Sequence, residues 1–145
     1  MAKFQPQQGN YKHTLYGTDQ GEWLIGYSSD DTIWANGGDD TADGVHGTDI
    51  LDGGDGNDSL DGGTGTDYLT GGLGADAFVV GANGGWDIIY DYHREQGDEL
   101  WVKKAGTQDY TIVVDDGDTY IDFGQGDGVV LVGITDFSGS ELNFY

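Results

Sequence analysis

The chain has 145 residues, with 5 Lys and Arg against 27 Asp and Glu, a formal net charge of -22. That length suits one domain, or one repeat array with a cap. The charge opposes nucleic acid or an anionic membrane as partner, since phosphate binding needs Lys and Arg. No apolar run of about 18 residues is present to insert into a bilayer, and the absence of Cys excludes disulfides and thiolate sites. Low hydrophobicity with high charge is a sign of disorder. Yet Asp outnumbers Glu 23 to 4, and 28 Gly stand beside 4 Trp, 9 Tyr and 5 Phe. Asp and Gly together make turns that carry carboxylates. Regular spacing of those turns decides between order and disorder.

Residues 1–7 are a short tail with one Lys and no apolar core, unlike a secretory signal peptide. A nine-residue frame begins at residue 8. Three tandem blocks, GGDGNDSLD (53–61), GGTGTDYLT (62–70) and GGLGADAFV (71–79), each read G-G-x-G-x-D-x-U-x, with U a large apolar residue. The frame extends backward without insertion through 44–52, 35–43, 26–34, 17–25 and 8–16, and the match decays toward the N-terminus. Its eighth column is Leu15, Leu24, Ile33, Ala42, Leu51, Leu60, Leu69 and Phe78. One apolar residue in nine cannot line a helix, but it can fill a coil whose every strand sends one side chain inward. The sixth column is Asp31, Asp40, Asp49, Asp58, Asp67 and Asp76, with Glu22 in the preceding unit. Stacked carboxylates repel unless a cation lies between them. The ninth-column Asp43, Asp52 and Asp61 read as solvated strand-edge charge, and the fifth-column Asp30, Asp39 and Asn57 as free side chains.

These blocks resemble the RTX (repeat-in-toxin) nonapeptides of proteins secreted by Gram-negative bacteria, a repeat type associated with Ca2+ and a parallel β-helix. The resemblance implies an all-β, right-handed parallel β-roll over 8–80. Two nonapeptides make one turn, and several Ca2+ ions are held by Asp carboxylates and loop carbonyls. The implied metal-site residues are Asp31, Asp40, Asp49, Asp58, Asp67 and Asp76, with the loop glycines Gly53, Gly54, Gly56, Gly62, Gly63, Gly65, Gly71, Gly72 and Gly74. Loops 18 residues apart pair Asp58 with Asp76, Asp49 with Asp67, Asp40 with Asp58 and Asp31 with Asp49. The Asp40 and Asp31 loops depart from the pattern at Ala35, Asn36, Tyr27 and Ser29, and Glu22 is one methylene too long.

After Val80 the period stops, and GANGGW (81–86) is a turn cluster. Strand-like runs follow at 87–92, 99–102, 110–114, 120–123 and 129–132, divided by Gly- and Asp-rich turns as in antiparallel structure. Asp116-Gly117-Asp118 has hairpin character. Residues 81–145 are expected to cap the open end of the roll. They also resemble the segment after RTX repeats, through Asp87 to Tyr92, Gly97-Asp98-Glu99-Leu100, and Gly133-Ile134 with Phe137. Asp87 and Asp91 are candidates for a further Ca2+. The ending Glu141-Leu142-Asn143-Phe144-Tyr145 is similar to an uncleaved type I secretion signal, and also suits a last cap strand.

No H-E-x-x-H and no G-x-S-x-G occurs, so the chain is read as a non-enzyme. The resemblance implies a secreted, extracellular module, disordered without Ca2+ and folding on Ca2+ binding after passage through type I secretion machinery, which stabilises or presents a secreted protein. A second reading is a glycan-binding accessory module of a polysaccharide-modifying enzyme, with Trp23, Trp34 and Tyr68 facing out. A third, ice binding, lacks a regular Thr column: Thr48, Thr64 and Thr66 fall in loops.

Overall fold

The computed structural model describes residues 12–81, 85–103 and 110–145. The tail at 1–7, the start of the first nonapeptide and residues 82–84 of the 81–86 cluster lie outside the described residues. Short strands alternate with glycine loops: β1 (Thr14–Tyr16), β2 (Trp23–Ile25), β3 (Thr32–Trp34), β4 (Thr41–Asp43), β5 (Ile50–Asp55), β6 (Ser59–Asp61), β7 (Tyr68–Leu73) and β8 (Ala77–Gly81). Successive strands join opposite sheets, so each pair of nonapeptides makes one turn of a parallel β-roll. Thr14 lies beside Thr32, Thr32 beside Ile50, and Ile50 beside Tyr68, all at an 18-residue step.

Strand alternation sends the eighth column inward. Ile33, Ala42, Leu51, Leu60, Leu69 and Phe78 are all fully buried. Leu15 and Leu24, at the open first turn, are only partly buried. The flanking positions point out, which explains how one apolar residue per unit suffices: the roll is two sheets thick and each strand contributes one plug.

The coil continues past the last nonapeptide. Strand β9 (Trp86–Ile89) pairs parallel with β7, and β10 (Glu99–Lys103) pairs parallel with β8, completing a fifth turn. Ile89 sits beside Leu69 and Leu100 beside Phe78, so the inward column is unbroken. Strands β11 (Thr111–Asp115), β12 (Asp118–Gly124) and β13 (Asp127–Leu131) form an antiparallel meander whose last strand pairs parallel with β9. Strand β14 (Leu142–Phe144) follows a 3-10 turn at Gly139–Glu141 and closes the other sheet against β10. The resulting orders are β1-β3-β5-β7-β9-β13-β12-β11 and β14-β10-β8-β6-β4-β2. No α-helix occurs among the described residues.

The expectation of antiparallel structure after Val80 holds for β11 to β13 but not for β9, β10 and β14. The Asp116-Gly117 turn is the expected hairpin, with φ of 51° and 92°. A second two-residue hairpin at Gln125-Gly126 (59° and 96°) has the same left-handed pair, as type I′ turns require. Tyr92 and Phe137 pack edge to face at 5.8 Å, and Tyr92 also contacts Phe78 at 6.3 Å. These rings join the last repeat strand to the C-terminal segment.

Candidate metal centre

Each sixth-column Asp ends a glycine loop, immediately before its strand. All six are buried, from 0% to 2% exposed. The carboxylates form two ladders, one per sheet. Asp49 Oδ1 accepts the Asp31 N–H at 2.6 Å and Asp67 Oδ1 the Asp49 N–H at 2.8 Å. On the other sheet, Asp58 Oδ1 accepts from Asp40 at 2.7 Å and Asp76 Oδ1 from Asp58 at 2.8 Å. The four expected 18-residue pairs are thus in contact through backbone N–H to carboxylate bonds.

One oxygen of each carboxylate remains. Oδ2 of Asp40, Asp49, Asp58, Asp67 and Asp76 is buried with no hydrogen-bond partner. A buried carboxylate in that condition needs a proton or a cation. Burial is the main cause that raises these groups: Asp49 and Asp58 to about 6 and Asp67 to about 7, with Asp40 and Asp76 also raised. Neighbouring acids add to the rise.

The glycines let other oxygens approach. A methyl on Gly53 would collide with Asp58 Oδ2 and with the carbonyl of Gly71, one turn on. Gly54, at φ +99°, receives the Asn36 carbonyl from the turn below. Gly62 and Gly71 likewise face Asp67 Oδ2 and Asp76 Oδ2. Gly63 and Gly72 repeat the second, and Gly56, Gly65 and Gly74 also face a carbonyl of the preceding turn. The gaps between loops are therefore bordered by a carboxylate oxygen and backbone carbonyls. No group of three or more His, Asp or Glu side chains that could hold a metal occurs among the described residues. The donors are oxygens only and come one carboxylate at a time, which fits a hard, flexible-geometry cation such as Ca2+ rather than a His- or thiolate-seeking metal.

The N-terminal loops differ. Asp31 Oδ2 takes the Tyr27 N–H at 2.6 Å, and its Oδ1 takes the His13 N–H at 3.0 Å. Glu22 uses both oxygens on Thr18, through its N–H and its hydroxyl. Neither acid has the bare oxygen found from Asp40 onward. Asn36 and Val45, in the second place of their units, take positive φ (74° and 78°) where Gly is the usual residue.

Two sequence expectations change. The fifth-column side chains are not free: Asp30, Asp39 and Asn57 accept the N–H of Thr48, Asn57 and Ala75, one turn on. The ninth-column acids are half-buried rather than fully solvated. Asp43 and Asp61 cap Val45 and Gly63, and Lys103 bonds Asp61. Asp91 accepts from both Gly71 and Gly72 at 2.8 Å. It replaces the carbonyls of a further loop and ends the glycine stack.

Sequence reasoning missed Asp98. Its Oδ1 accepts the Asp76 N–H at 3.0 Å, and Asp87 Oδ1 accepts the Asp67 N–H at 3.2 Å. The signal was present: Asp87-Ile88-Ile89 and Asp98-Glu99-Leu100 keep the D-x-U triplet of Asp58-Ser59-Leu60. Only the step changed, to 11 residues from Asp76 to Asp87 and again to Asp98. The aromatics proposed for glycans do not share a face. Trp23 (77% exposed) lies on one sheet, Trp34 and Tyr68 on the other, and Tyr68 stacks on Tyr90 at 6.3 Å.

The chain is similar in structure to the extracellular lipase LipA from Serratia marcescens (14% identity, TM-score 0.49), covering 96% of this chain and spanning 41% of the lipase. It is also similar to the AlgE6R3 subunit of the Azotobacter vinelandii mannuronan C5-epimerase (28% identity, TM-score 0.35), over 87% of this chain and 79% of that one. No curated protein sequence matches. The family model described as RTX calcium-binding nonapeptide repeat (4 copies) matches residues 16–45 and 43–78. The repeat pattern, the stacked loops and that match agree: residues 16–78 belong to the RTX calcium-binding nonapeptide repeats.

Proposed function

We propose that this chain is a Ca2+-binding module whose repeat array orders only when calcium is bound, and that it acts in the extracellular space after type I secretion. The observation that carries the reading is the row of buried carboxylate oxygens without hydrogen-bond partners on Asp40, Asp49, Asp58, Asp67 and Asp76. Bound Ca2+ would supply positive charge in the gaps between loops, where the carboxylate and carbonyl oxygens would coordinate it.

The chain's own residues set the threshold. Residues 8–79 carry 13 Asp and one Glu against one Lys. Each unit buries one apolar side chain, too little to offset backbone ordering of about 1–2 kcal/mol per residue. Burying the acids unpaired raises that deficit further. Charge neutralisation therefore becomes folding free energy. Oxygen sites of extracellular modules have Kd values of about 10^-4 to 10^-3 M, which leaves such a chain unfolded in a low-calcium cytosol and folded outside. An unfolded chain can pass a secretion channel. The ladders couple neighbours, since each interior Asp touches the loops on both sides. Binding is therefore expected to be cooperative.

The test is a Ca2+ titration of the full chain followed by far-UV circular dichroism, with Mg2+ as control. A sigmoidal gain of β-signal with Ca2+ alone supports the reading. A β-signal present in chelator and unchanged to millimolar Ca2+ contradicts it.

A further inference from the structure

The two acid ladders do not end with the last nonapeptide. The N–H to carboxylate bond made at an 18-residue spacing in the repeats is made again by Asp67 with Asp87, 20 residues on, and by Asp76 with Asp98, 22 residues on. Asp87 is 2% exposed and Asp98 6%. Both lie outside the residues matched by the repeat family.

The rungs below them keep the open oxygen. Asp67 and Asp76 are 0% and 1% exposed, and Oδ2 of each has no hydrogen-bond partner. Gly62 and Gly71 leave those oxygens the space that a side chain would fill. For Asp58, the same oxygen shares the Gly53 side of its loop with a carbonyl of the next glycine loop. For Asp67 and Asp76 the next loop is not a nonapeptide loop: it belongs to the C-terminal segment. Asp91 is also near, but both its oxygens hold backbone N–H groups of Gly71 and Gly72.

We infer that two divalent-cation sites lie at the junction between the repeats and the C-terminal segment, one with Asp67 and Asp87 as carboxylate ligands, the other with Asp76 and Asp98. The inference rests on the calcium reading above and extends it to residues without the glycine pattern. Burial, with the Asp67 charge next, pushes Asp87 up to about 8, and burial raises Asp98, as a position needing a positive partner should show. The consequence is that C-terminal residues complete the metal array, so the array cannot saturate without them.

The experiment counts Ca2+ ions on the full chain at saturating Ca2+ by native mass spectrometry, with D87N, D98N and the double variant. Asn keeps an Oδ1 acceptor for the backbone N–H but loses the charge and replaces the second oxygen with an NH2 that cannot ligate a cation. Each single variant is expected to hold one ion fewer than the unaltered chain, and the double variant two fewer. Counts equal to the unaltered chain overturn the inference. D91N is the comparison: it weakens a backbone cap in the same segment and is expected to keep the full count. A loss there equal to that of D98N would also overturn the assignment. The unaltered chain gives a reading that needs no variant. Five buried Asp carry a bare oxygen, and three of these, Asp40, Asp49 and Asp58, face another glycine loop. A count of five supports the two junction sites, and a count of four or fewer overturns the pair. A chain that binds no Ca2+ at all would instead sink the calcium reading itself.

Discussion

The glycine-loop array and the C-terminal segment share two sheets, yet they are held by different means. The array buries one apolar side chain per nine residues and a row of carboxylates with bare oxygens. The C-terminal segment buries Ile89, Tyr92, Leu100, Val102, Ile121, Val129, Leu131, Phe137 and Leu142 in one cluster. Several of its acids are satisfied by backbone: Asp118 takes the Gly133 N–H, Asp122 the Gly124 N–H, and Asp91 two glycines. On the proposed reading one region depends on a cation for its stability, whereas the other resembles an ordinary hydrophobic core. On that reading the second would be the base on which the first stacks, through the pairing of β9 and β10 with β7 and β8.

The largest expected effect comes from separating the two. A fragment ending at residue 86 lacks β10 and most of β9, and with them the strands on which the last repeats pair. It is expected to show no Ca2+-induced β-signal. The same circular-dichroism change at similar Ca2+ would break the comparison. Next, Leu60→Ala removes a fully buried plug from the array, for an expected loss of about 2–5 kcal/mol. In a region with one plug per unit there is little else to absorb it, so the Ca2+ midpoint should rise steeply.

Asp91→Ala leaves the Gly71 and Gly72 N–H groups without their acceptor. An unsatisfied buried group costs about 1–3 kcal/mol, and the expected result is a higher midpoint with the same number of ions bound. The pH response has opposite signs without and with Ca2+. Burial pushes Asp49 and Asp58 up to about 6, Asp67 to about 7 and Asp87 to about 8, above the ordinary carboxylate range. Groups raised on folding contribute fully below the unfolded value and lose that contribution as pH rises through the folded one. The Ca2+-free chain should therefore gain β-signal on acidification from pH 8.5 to 5. The Ca2+ midpoint should rise over the same change, because protons compete for the carboxylates. The smallest effect is a gain. Val45 holds φ at +78°, a conformation that costs a β-branched residue about 1–2 kcal/mol. Val45→Gly is expected to lower the Ca2+ midpoint slightly, and an unchanged or higher midpoint would argue against strain there.

Much of the array was legible because its physics is periodic. The eighth column named the plugs from Ile33 to Phe78, and the sixth column named acids that are all buried. The fold beyond Val80 was less so, since the G-G-x-G-x-D spacing marks the loops and the next two loops lack it. The roll nevertheless continues, carried by Asp87-Ile88-Ile89 and Asp98-Glu99-Leu100 at an 11-residue step. A frame search tied to nine residues passes over that change, whereas strand pairing depends only on the register of the triplet. The side chains of Asp30, Asp39 and Asn57 were misread because their acceptors serve loops 18 residues away. No local pattern reveals such a bond until the coil is known. Asp31 and Asp40 looked equally irregular in sequence. They differ because Tyr27 N–H reaches Asp31 Oδ2, while Asp40 Oδ2 has no such donor.

The most direct test of the account is amide hydrogen exchange by mass spectrometry on the full chain, with Ca2+ and with chelator, read separately for peptides from 14–81 and from 111–131. Strong protection of 14–81 in Ca2+ and its loss in chelator is the predicted result. Protection of 14–81 that is equal in both conditions would contradict the claim that calcium holds the array together.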